Sequence, residues 1–254
     1  MVTFQRLVVS PNQIQGTRLT LTAEQRHYLR RVLRLGVGGQ FIVLDGAGQQ
    51  WQAALTATDD QAVLVAPITP PASQSVDLDI TLAAALPKQG FDQVVRQATE
   101  LGVNTIVPIL SERTLLSPSA SKVQRWRRIA TEAAEQCERP RVPTLLEPMA
   151  WPLWLTHTDA PCRLICVARG DRPSLLSLGG QFLGGQSPHL VIATGPEGGW
   201  TEAEIATAIA ATYQPVSLGN QVLRALTAPV VALAVIQAAY GEWSQDAPTH
   251  LDKT

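Results

Sequence analysis

The sequence predicts a two-part α/β protein, in which a small β-rich unit is followed by a larger unit built on a parallel sheet. From residue 78 onward, short apolar strand patterns alternate with amphipathic helical patterns, which is typical of a parallel sheet covered by helices. Before residue 69, short strands with turn signals accompany a single helix. Residues 69–75 are rich in Pro and Ser and are typical of a linker. We therefore predict domains at 1–72 and 76–245.

Length and composition set broad limits on the class of protein. The chain of 254 residues has 45% hydrophobic content and a net charge of −1, which is ordinary for a packed soluble protein. No apolar run is long enough to span a membrane, and the N-terminus lacks the apolar core of a secretion signal, so we expect a cytoplasmic protein. The three cysteines, Cys137, Cys162 and Cys166, lack the spacing of a zinc site. We therefore expect no metal and place these thiols in or near the core.

The charge is unevenly distributed along this nearly neutral chain. Residues 1–40 contain six arginines and a single acidic residue, and residues 113–141 contain a second basic segment. Two arginine-rich segments suggest a restricted surface that faces phosphate groups. Solvated helix faces would explain the charge pattern about equally well.

The N-terminal unit is predicted to hold one helix and several short strands. Thr22 and Gln25 have the spacing of a capping box, and we expect the helix to run from there to Gly36. Arginines line its predicted exposed side. Short strands are predicted at 40–44, 50–57 and 62–68. The glycines at 36 and 38 precede a strand, which is the wrong context for a dinucleotide-binding motif.

The C-terminal unit is predicted to alternate strands with helices. Strands are expected at 80–86, 106–109, 164–168, 190–194 and 215–218, and helices at 89–101, 122–137, 201–210 and up to Tyr240. The last helix is apolar on every side, so we expect protein to enclose it all round, either within this chain or at a subunit interface.

The most informative stretch is the glycine-rich segment 194–200, which we call the glycine loop. It follows a buried strand and leads into a helix whose predicted N-cap is Thr201, because Glu204 completes a capping box. Such a loop exposes backbone N–H groups to a ligand, although a tight connection alone would also use glycines. Loops at 168–171 and 218–224 should lie at the same edge of the sheet. Since nucleophile and phosphate-binding motifs are lacking, the sequence favours chemistry carried by a bound cofactor.

Several strings of residues, in order, resemble one family. They are 85–88 (ALPK), 98–103 (ATELGV), 111–113 (SER), 132–139 (EAAEQCER), 195–199 (GPEGG), 218–219 with 222–224 (LG, VLR), and the helix 27–34 (HYLRRVLR). The chain resembles the RsmE family, whose members methylate N3 of a uridine in 16S ribosomal RNA. The resemblance implies a PUA-like β-barrel that binds RNA, followed by a SPOUT domain with a parallel sheet and a trefoil knot. It also implies a homodimer that acts on the small ribosomal subunit with S-adenosylmethionine as cofactor.

The resemblance also implies a set of site residues. The cofactor-binding residues would be Ala168, Thr194, Gly195, Pro196, Glu197, Gly198, Gly199, Ser217, Leu218, Gly219, Val222, Leu223, Arg224 and Thr227. Arg224 is the catalytic candidate, either by stabilising charge on the base or by clamping a phosphate. Glu197 is expected to order its own loop or to act as a base. The RNA-binding candidates are Arg6, Arg30, Arg31, Arg34, Lys88, Arg113 and Arg139.

One departure from the family pattern affects the activity. The family commonly has a glutamate two residues after this arginine, whereas the chain has Leu226. A carboxylate base at that position is therefore impossible here. Either the glutamate is structural in relatives, or the activity differs. Two alternatives stay open: a methyltransferase that acts on another RNA atom, such as a ribose 2′-oxygen, or a non-catalytic RNA-binding or ribosome-assembly factor.

Overall fold

The structure is a computed structural model that describes residues 4–68, 78–115, 117–178 and 189–240. The chain divides into two compact units, one formed by 1–73 with 128–142 and the other by 74–127 with 143–254. The predicted linker at 69–75 and the predicted domain limits at 72, 76 and 245 lie outside the described residues. Within the described ranges, no helix is both long and apolar enough to cross a membrane.

The first unit contains a six-stranded sheet, in which the three predicted strands at 40–44, 50–57 and 62–68 are joined by three shorter ones. Its order is β1-β4-β5-β6-β3-β2, with β1 parallel to β4 and the other pairs antiparallel. The strands are β1 (Arg6–Val8), β2 (Ile14–Gln15), β3 (Arg18–Thr20), β4 (Gln40–Leu44), β5 (Gln50–Leu55) and β6 (Gln61–Pro67). Leu19, Phe41 and Val43 are fully buried in its core.

The helix of the first unit begins as predicted but ends earlier. Helix α1 (Ala23–His27) has Thr22 as its N-cap, which confirms the capping box with Gln25, and a π-helical turn continues it over Tyr28–Val32. The predicted end at Gly36 is wrong. The π turn closes with a 2.9 Å bond from Leu33 N to Tyr28 O, and Arg34 then adopts a left-handed conformation with φ of 57°. This conformation ends the helix two residues before the glycine.

The second unit contains a parallel sheet, which confirms the predicted fold class. Its order is β10-β8-β7-β12-β11-β13, and β9 pairs with β8. All pairings in this sheet among the described residues are parallel. The strands are β7 (Asp79–Ala85), β8 (Thr105–Leu110), β9 (Thr144–Leu145), β10 (Met149–Ala150), β11 (Cys162–Cys166), β12 (His189–Thr194) and β13 (Gln214–Val216). In this order β7 and β8 lie on one side of β12, and β11 and β13 on the other.

Six helices follow α1 in the described part of the chain. They are α2 (Phe91–Glu100), α3 (Ala120–Gln136), α4 (Trp151–His157), α5 (Leu175–Leu178), α6 (Glu202–Ala210) and α7 (Thr227–Tyr240). The residues of α3 from Arg128 onward belong to the first unit. The sequence patterns missed β1, β2, β3, β9, β10, α4 and α5, because elements of two to seven residues are too short to show a period.

An aromatic cluster packs behind the start of α6. The rings of Trp151 and Trp200 lie 4.6 Å apart, and Trp154 Nε1 donates a 2.9 Å bond to the Tyr213 hydroxyl. Burial raises the pKa of Tyr213, so the hydroxyl stays protonated and available for this network. These residues share one core cluster with the β7, β8 and β12 strands. The glycine loop therefore rests on a closely packed base.

The final helix is enclosed only in part by its own unit. In α7, Leu233 and Ile236 are buried, whereas Val231 and Val235 are half-buried. Within the described part of the chain, protein does not enclose this helix on every side.

The cysteines follow the prediction in part. Cys162 and Cys166 are buried as expected, whereas Cys137, which was predicted in or near the core, is exposed. Its position one residue past the end of α3 places it at a helix end instead of on the packed face.

Candidate functional site

The glycine loop connects β12 to α6 by a tight turn. Gly199 N donates a 2.9 Å bond to Pro196 O, and Thr201 caps α6 with a complete capping box. This confirms the predicted N-cap. Thr194, the last residue of β12, is only 1% exposed, so the glycine loop begins directly at the buried end of the strand.

Glu204 joins the start of α6 to the loop after β8. Its Oε2 accepts a 2.9 Å bond from Thr201 N, and its Oε1 accepts a 2.8 Å bond from Glu112 N. Thr201 Oγ1 in turn donates a 2.9 Å bond to Glu112 Oε2. Although Glu204 is only 8% exposed, both of its oxygens are satisfied by backbone N–H donors. The capping box therefore fixes two loops at once.

Two further bonds hold the glycine loop against its neighbours. Arg113 Nη1 donates a 2.5 Å bond to Gly198 O, and a Cβ at position 198 would lie 3.0 Å from Arg113 Cδ. Position 198 therefore favours glycine because the arginine stem lies against it. Glu197 Oε1 accepts a 2.9 Å bond from Lys88 N. Glu197 is expected to order its own loop, and the bond observed runs to the backbone of the loop after β7, so that it holds the glycine loop against this neighbour.

The loops that follow β11, β12 and β13 enclose a cavity of about 480 Å³, a volume typical of small-molecule sites. Its inner wall is formed by buried side chains of Cys166, Pro196, Trp200 and Ala225. The remaining lining residues are Arg113, Val167, Ala168, Arg169, Gly170, Arg172, Gly195, Glu197, Gly198, Gly199, Glu202, Ile205, Leu218, Gly219, Gln221, Val222, Leu223 and Ala228. As expected for a parallel sheet, the cavity lies at the carboxyl ends of the strands.

Backbone bonds connect the loops after β11 and β13. Val167 N donates to Val216 O, Ser217 N to Pro173 O and Leu175 N to Ser217 O, each at 2.9 Å. The two loops consequently form one joined wall of the cavity.

Most of the predicted cofactor residues line this cavity. Ten do so: Ala168, Gly195, Pro196, Glu197, Gly198, Gly199, Leu218, Gly219, Val222 and Leu223. Four do not. Thr194 is interior, the Ser217 hydroxyl bonds the Gly219 backbone, and the Arg224 carbonyl accepts bonds from Thr227 N and Ala228 N at the start of α7. The side chain of Arg224 is exposed.

Sequence reasoning missed several cavity residues. Arg169 and Gly170 lie in a loop that had been identified as a candidate, but Arg172 lies beyond it. Trp200 ends the glycine loop but is absent from the predicted cofactor residues. Ala225 and Ala228 come after the predicted loop at 218–224, and an alanine side chain gives no sign in the sequence that it lines a cavity.

Leu226 lies against the start of α2 and does not line the cavity. A Cβ on Gly90, the N-cap of α2, would lie 2.9 Å from Leu226 Cδ1. The side chain at 226 therefore packs on a helix end.

The RNA-binding candidates differ in whether their side chains already form bonds within the protein. Arg6 is 15% exposed and bonds Glu138 at 2.7 Å, while Arg30 is 18% exposed, pairs with Asp59 and donates to three backbone carbonyls. Arg139 also interacts with neighbouring residues. Arg31, Arg34 and the side chain of Lys88 are exposed.

The cavity lining combines apolar side chains with charged ones, and its cysteine is not an activated nucleophile. Burial raises the pKa of the Cys166 thiol to about 12, so it is not a thiolate at neutral pH. The indole Nε1 of Trp200 is buried and lacks a hydrogen-bond partner within the described part of the protein. In the same residues, no group of three or more His, Cys, Asp or Glu side chains could hold a metal ion.

Comparisons with known proteins agree with this architecture. Residues 74–237 match the RNA methyltransferase domain family, and residues 21–68 match the RNA methyltransferase PUA domain. Ribosomal RNA small subunit methyltransferase E from Synechocystis is 48% identical over 240 residues, which cover 92% of this chain and 77% of that protein.

Two solved structures are similar over almost their whole length. Ribosomal RNA small subunit methyltransferase E from Neisseria gonorrhoeae, bound to S-adenosyl methionine, is 29% identical with a TM-score of 0.80, covering 93% of this chain and 98% of the other. A methyltransferase from Legionella pneumophila in complex with the same cofactor is 28% identical with a TM-score of 0.79, covering 94% and 98%. The chain therefore belongs to the RsmE family of RNA methyltransferases, with an N-terminal PUA-like domain.

Proposed function

We propose that this protein transfers a methyl group from S-adenosylmethionine to N3 of a uridine in 16S rRNA of the small ribosomal subunit. The observation that carries the proposal is the cavity at the carboxyl ends of β11, β12 and β13, whose lining includes five glycines and three alanines. Relatives of the same fold bind S-adenosylmethionine, and the Synechocystis relative is named for the small ribosomal subunit.

The residues present fit this cofactor. Ala168 and the lining residues of 195–199 and 218–223 would hold it through backbone groups, and the unpaired Trp200 Nε1 offers one buried donor. Glu197 and Glu202 give the wall formed by the β12–α6 segment a negative character that suits a cationic molecule. When bound, S-adenosylmethionine supplies a methyl group that is already activated for transfer.

Methylation at N3 requires the imide proton to leave the uracil ring. Arg224 is proposed to stabilise the negative charge that develops on the base, because it is exposed and lies in sequence between the lining residues Leu223 and Ala225. Glu197 is proposed to position the glycine loop, since its carboxylate is bonded to Lys88 N. The packing of Leu226 on Gly90 supports a structural role for position 226. Loss of a glutamate there is then compatible with activity.

Several features of the assembly complete the proposal. The half-buried residues of α7, including Val231 and Val235, support a homodimer in which a second copy covers them. We also propose that the second unit contains a trefoil knot, that the first closes as a barrel, and that the domains span 1–72 and 76–245. The protein is proposed to work in the cytoplasm, without a metal ion.

RNA is proposed to contact the first unit through its exposed arginines. Arg31 and Arg34 are the clearest candidates, whereas Arg30 already stabilises residues 56–59. The double variant R31A/R34N should bind rRNA more weakly and with a smaller salt dependence, with cofactor affinity unchanged. Asn is chosen at 34 because it tolerates a positive φ. Unchanged RNA affinity would remove these residues from the interface.

The decisive experiment is a methylation assay on unmodified small ribosomal subunits, with the modified nucleoside identified by mass spectrometry. We expect 3-methyluridine. A 2′-O-methyl product would identify a methyltransferase with another target atom. Failure to bind S-adenosylmethionine in calorimetry would instead identify a non-catalytic RNA-binding or assembly factor.

A further inference from the structure

Two exposed arginines at the cavity have guanidinium groups that are free to bind a ligand. Arg169 and Arg172 both line the cavity and both are exposed. Neither guanidinium forms a hydrogen bond or an ion pair with any residue that the structure describes. In the same unit, Arg163 bonds the carbonyls of Ala160 and Ala211, so an arginine of this unit can be satisfied internally. Arg169 and Arg172 therefore remain available to a ligand.

The loop that carries them is fixed at its base. Bonds from Val167 N to Val216 O and from Ser217 N to Pro173 O, both at 2.9 Å, hold the two ends of the segment 168–172. At its centre, Gly170 has φ of +91°, a conformation that L side chains rarely adopt. A loop held in this way loses little conformational entropy when a ligand binds. The two guanidinium groups are thus presented from a short, anchored segment.

The charges favour a polyanion over the cofactor as the ligand of this pair. S-adenosylmethionine has one carboxylate, one ammonium and one sulfonium, so its net charge is +1. Two guanidinium groups match that molecule poorly, and the carboxylates of Glu197 and Glu202 line another part of the same cavity. RNA instead carries one phosphate per nucleotide, and the planar guanidinium group binds phosphate oxygens in pairs.

We infer that Arg169 and Arg172 form a phosphate-binding pair that holds the RNA backbone next to the target nucleotide. This inference rests on the proposed function, since it assigns the RNA strand a path over the mouth of the cofactor cavity. It adds a contact in the second unit to those proposed for Arg31 and Arg34 in the first. Contacts to phosphate fix the position of a strand without reading its sequence, so the pair would align the nucleotide instead of selecting it.

The test compares the variants R169Q, R172Q and R169Q/R172Q with R96Q. Arg96 is an exposed arginine on α2 that does not line the cavity, so R96Q removes the same charge as each single variant. Binding of fluorescently labelled 16S rRNA, transcribed in vitro, is measured over a range of salt concentrations, and S-adenosylmethionine binding is measured by calorimetry. Methyl transfer to unmodified small ribosomal subunits at increasing concentration gives kcat and kcat/KM for this RNA substrate.

We expect the double variant to bind RNA roughly tenfold more weakly, with a salt slope smaller by about one to two, since each lost phosphate contact removes about 0.7 to 0.9 of slope. Its kcat/KM for RNA should fall while kcat at saturating RNA and cofactor affinity are retained, and R96Q should match the wild type.

Two outcomes would overturn the inference. RNA affinity equal to that of R96Q would do so, and so would weaker S-adenosylmethionine binding with RNA affinity unchanged, because that would assign the pair to the cofactor carboxylate. Failure of the proposed function is a different result. In that case the wild-type protein itself would lack cofactor binding or methyl transfer.

Discussion

The two units of this protein start a helix with the same motif. Thr22 and Gln25 cap α1, and Thr201 and Glu204 cap α6. The geometry is nearly identical, because the threonine hydroxyl accepts from the backbone N–H three residues later at 3.2 Å in both. The returning bond, from the threonine N–H to the side-chain oxygen, is 2.9 Å in both.

The motifs differ in the bond made by the second polar atom of the Gln25 or Glu204 side chain, the atom that does not bond the threonine N–H. Gln25 has an amide nitrogen, which donates a 3.1 Å bond to the Val8 carbonyl within the first unit. Glu204 has a second carboxylate oxygen instead, and this oxygen accepts from Glu112 N in the loop after β8. A neutral amide therefore joins a carbonyl, and a carboxylate joins an N–H donor. The choice between Gln and Glu decides which neighbour the helix start holds, and at α6 that neighbour braces the glycine loop.

The largest expected effect is that of E204A. This change leaves two backbone N–H groups without their acceptor, and bonds to a charged group contribute about 1.5–3 kcal/mol each. We expect the free energy of unfolding to fall by about 3 kcal/mol and S-adenosylmethionine to bind more weakly. Urea denaturation and calorimetry measure the two effects. The control is E100A, at an exposed position on α2. A loss of stability no larger than that of E100A would contradict the assigned role of Glu204.

A reciprocal exchange tests the difference between the motifs directly. E204Q keeps one oxygen acceptor and places an NH₂ group beside a backbone donor, whereas Q25E places a carboxylate oxygen 3.1 Å from the Val8 carbonyl. Each should lower the free energy of unfolding by about 1–2 kcal/mol. Only E204Q should weaken cofactor binding, since only that motif holds the glycine loop. If Q25E weakened cofactor binding equally, the effect would be one of general stability.

A smaller effect is expected at Arg113, the residue next to Glu112. R113A removes the bond to Gly198 O and the stem that packs on that glycine, and we expect a stability loss of about 1 kcal/mol because the side chain is exposed. The affinity for S-adenosylmethionine should fall about fivefold, a difference of about 1 kcal/mol. R125A, on the exposed part of α3, is the matched control. Cofactor affinity equal to the control would show that the loop keeps its shape without Arg113.

The sequence predicted the parts of this architecture that depend on local signals. Thr22 and Thr201 were found because a capping box spans only four residues, and the parallel sheet was found because apolar runs such as 190–194 alternate with helices. The bonds that brace the site were not predictable in this way. Glu204 and Glu112 are 92 residues apart, and Glu197 and Lys88 are 109 apart, so their pairing depends on the order of strands in the sheet.

The wrong helix end near Arg34 and the missed cavity residues also come from features without a local sequence signal. A π-helical turn has no marked sequence signal, so the helix of the first unit was extended to the next glycine. The alanines at 225 and 228 line the cavity on either side of the start of α7 at Thr227, and the sequence did not predict where this helix begins. The resemblance to relatives supplied most of the site residues, and Arg172, which it did not supply, was missed.

The smallest effect is expected at Glu135, a third carboxylate that accepts a bond from a backbone N–H group. A variant there tests whether the negative charge stabilises the first unit. Glu135 Oε1 accepts a 2.7 Å bond from Val8 N. Burial raises the pKa of Glu135, the Val8 N–H partly opposes the shift, and the negative charge of Glu132 adds to it. The folded protein therefore holds this proton more tightly than the unfolded chain does. The stabilisation that results is complete below the pKa of the unfolded chain and is lost as pH rises through the raised folded pKa.

E135Q keeps an oxygen acceptor for Val8 N and removes the charge. We expect its midpoint of urea denaturation to equal that of the wild type at about pH 4 and to exceed it slightly at about pH 8, because only the wild type carries the cost of a buried carboxylate there. E135A, which also removes the acceptor, should be less stable than E135Q at both pH values. A midpoint for E135Q below that of the wild type at about pH 8 would mean that the charge strengthens the bond to Val8 by more than its burial costs. A single backbone donor would then be enough to make a buried carboxylate favourable, as at Glu135. The second backbone donor of Glu204 would no longer be needed to explain why the α6 motif has a charged residue.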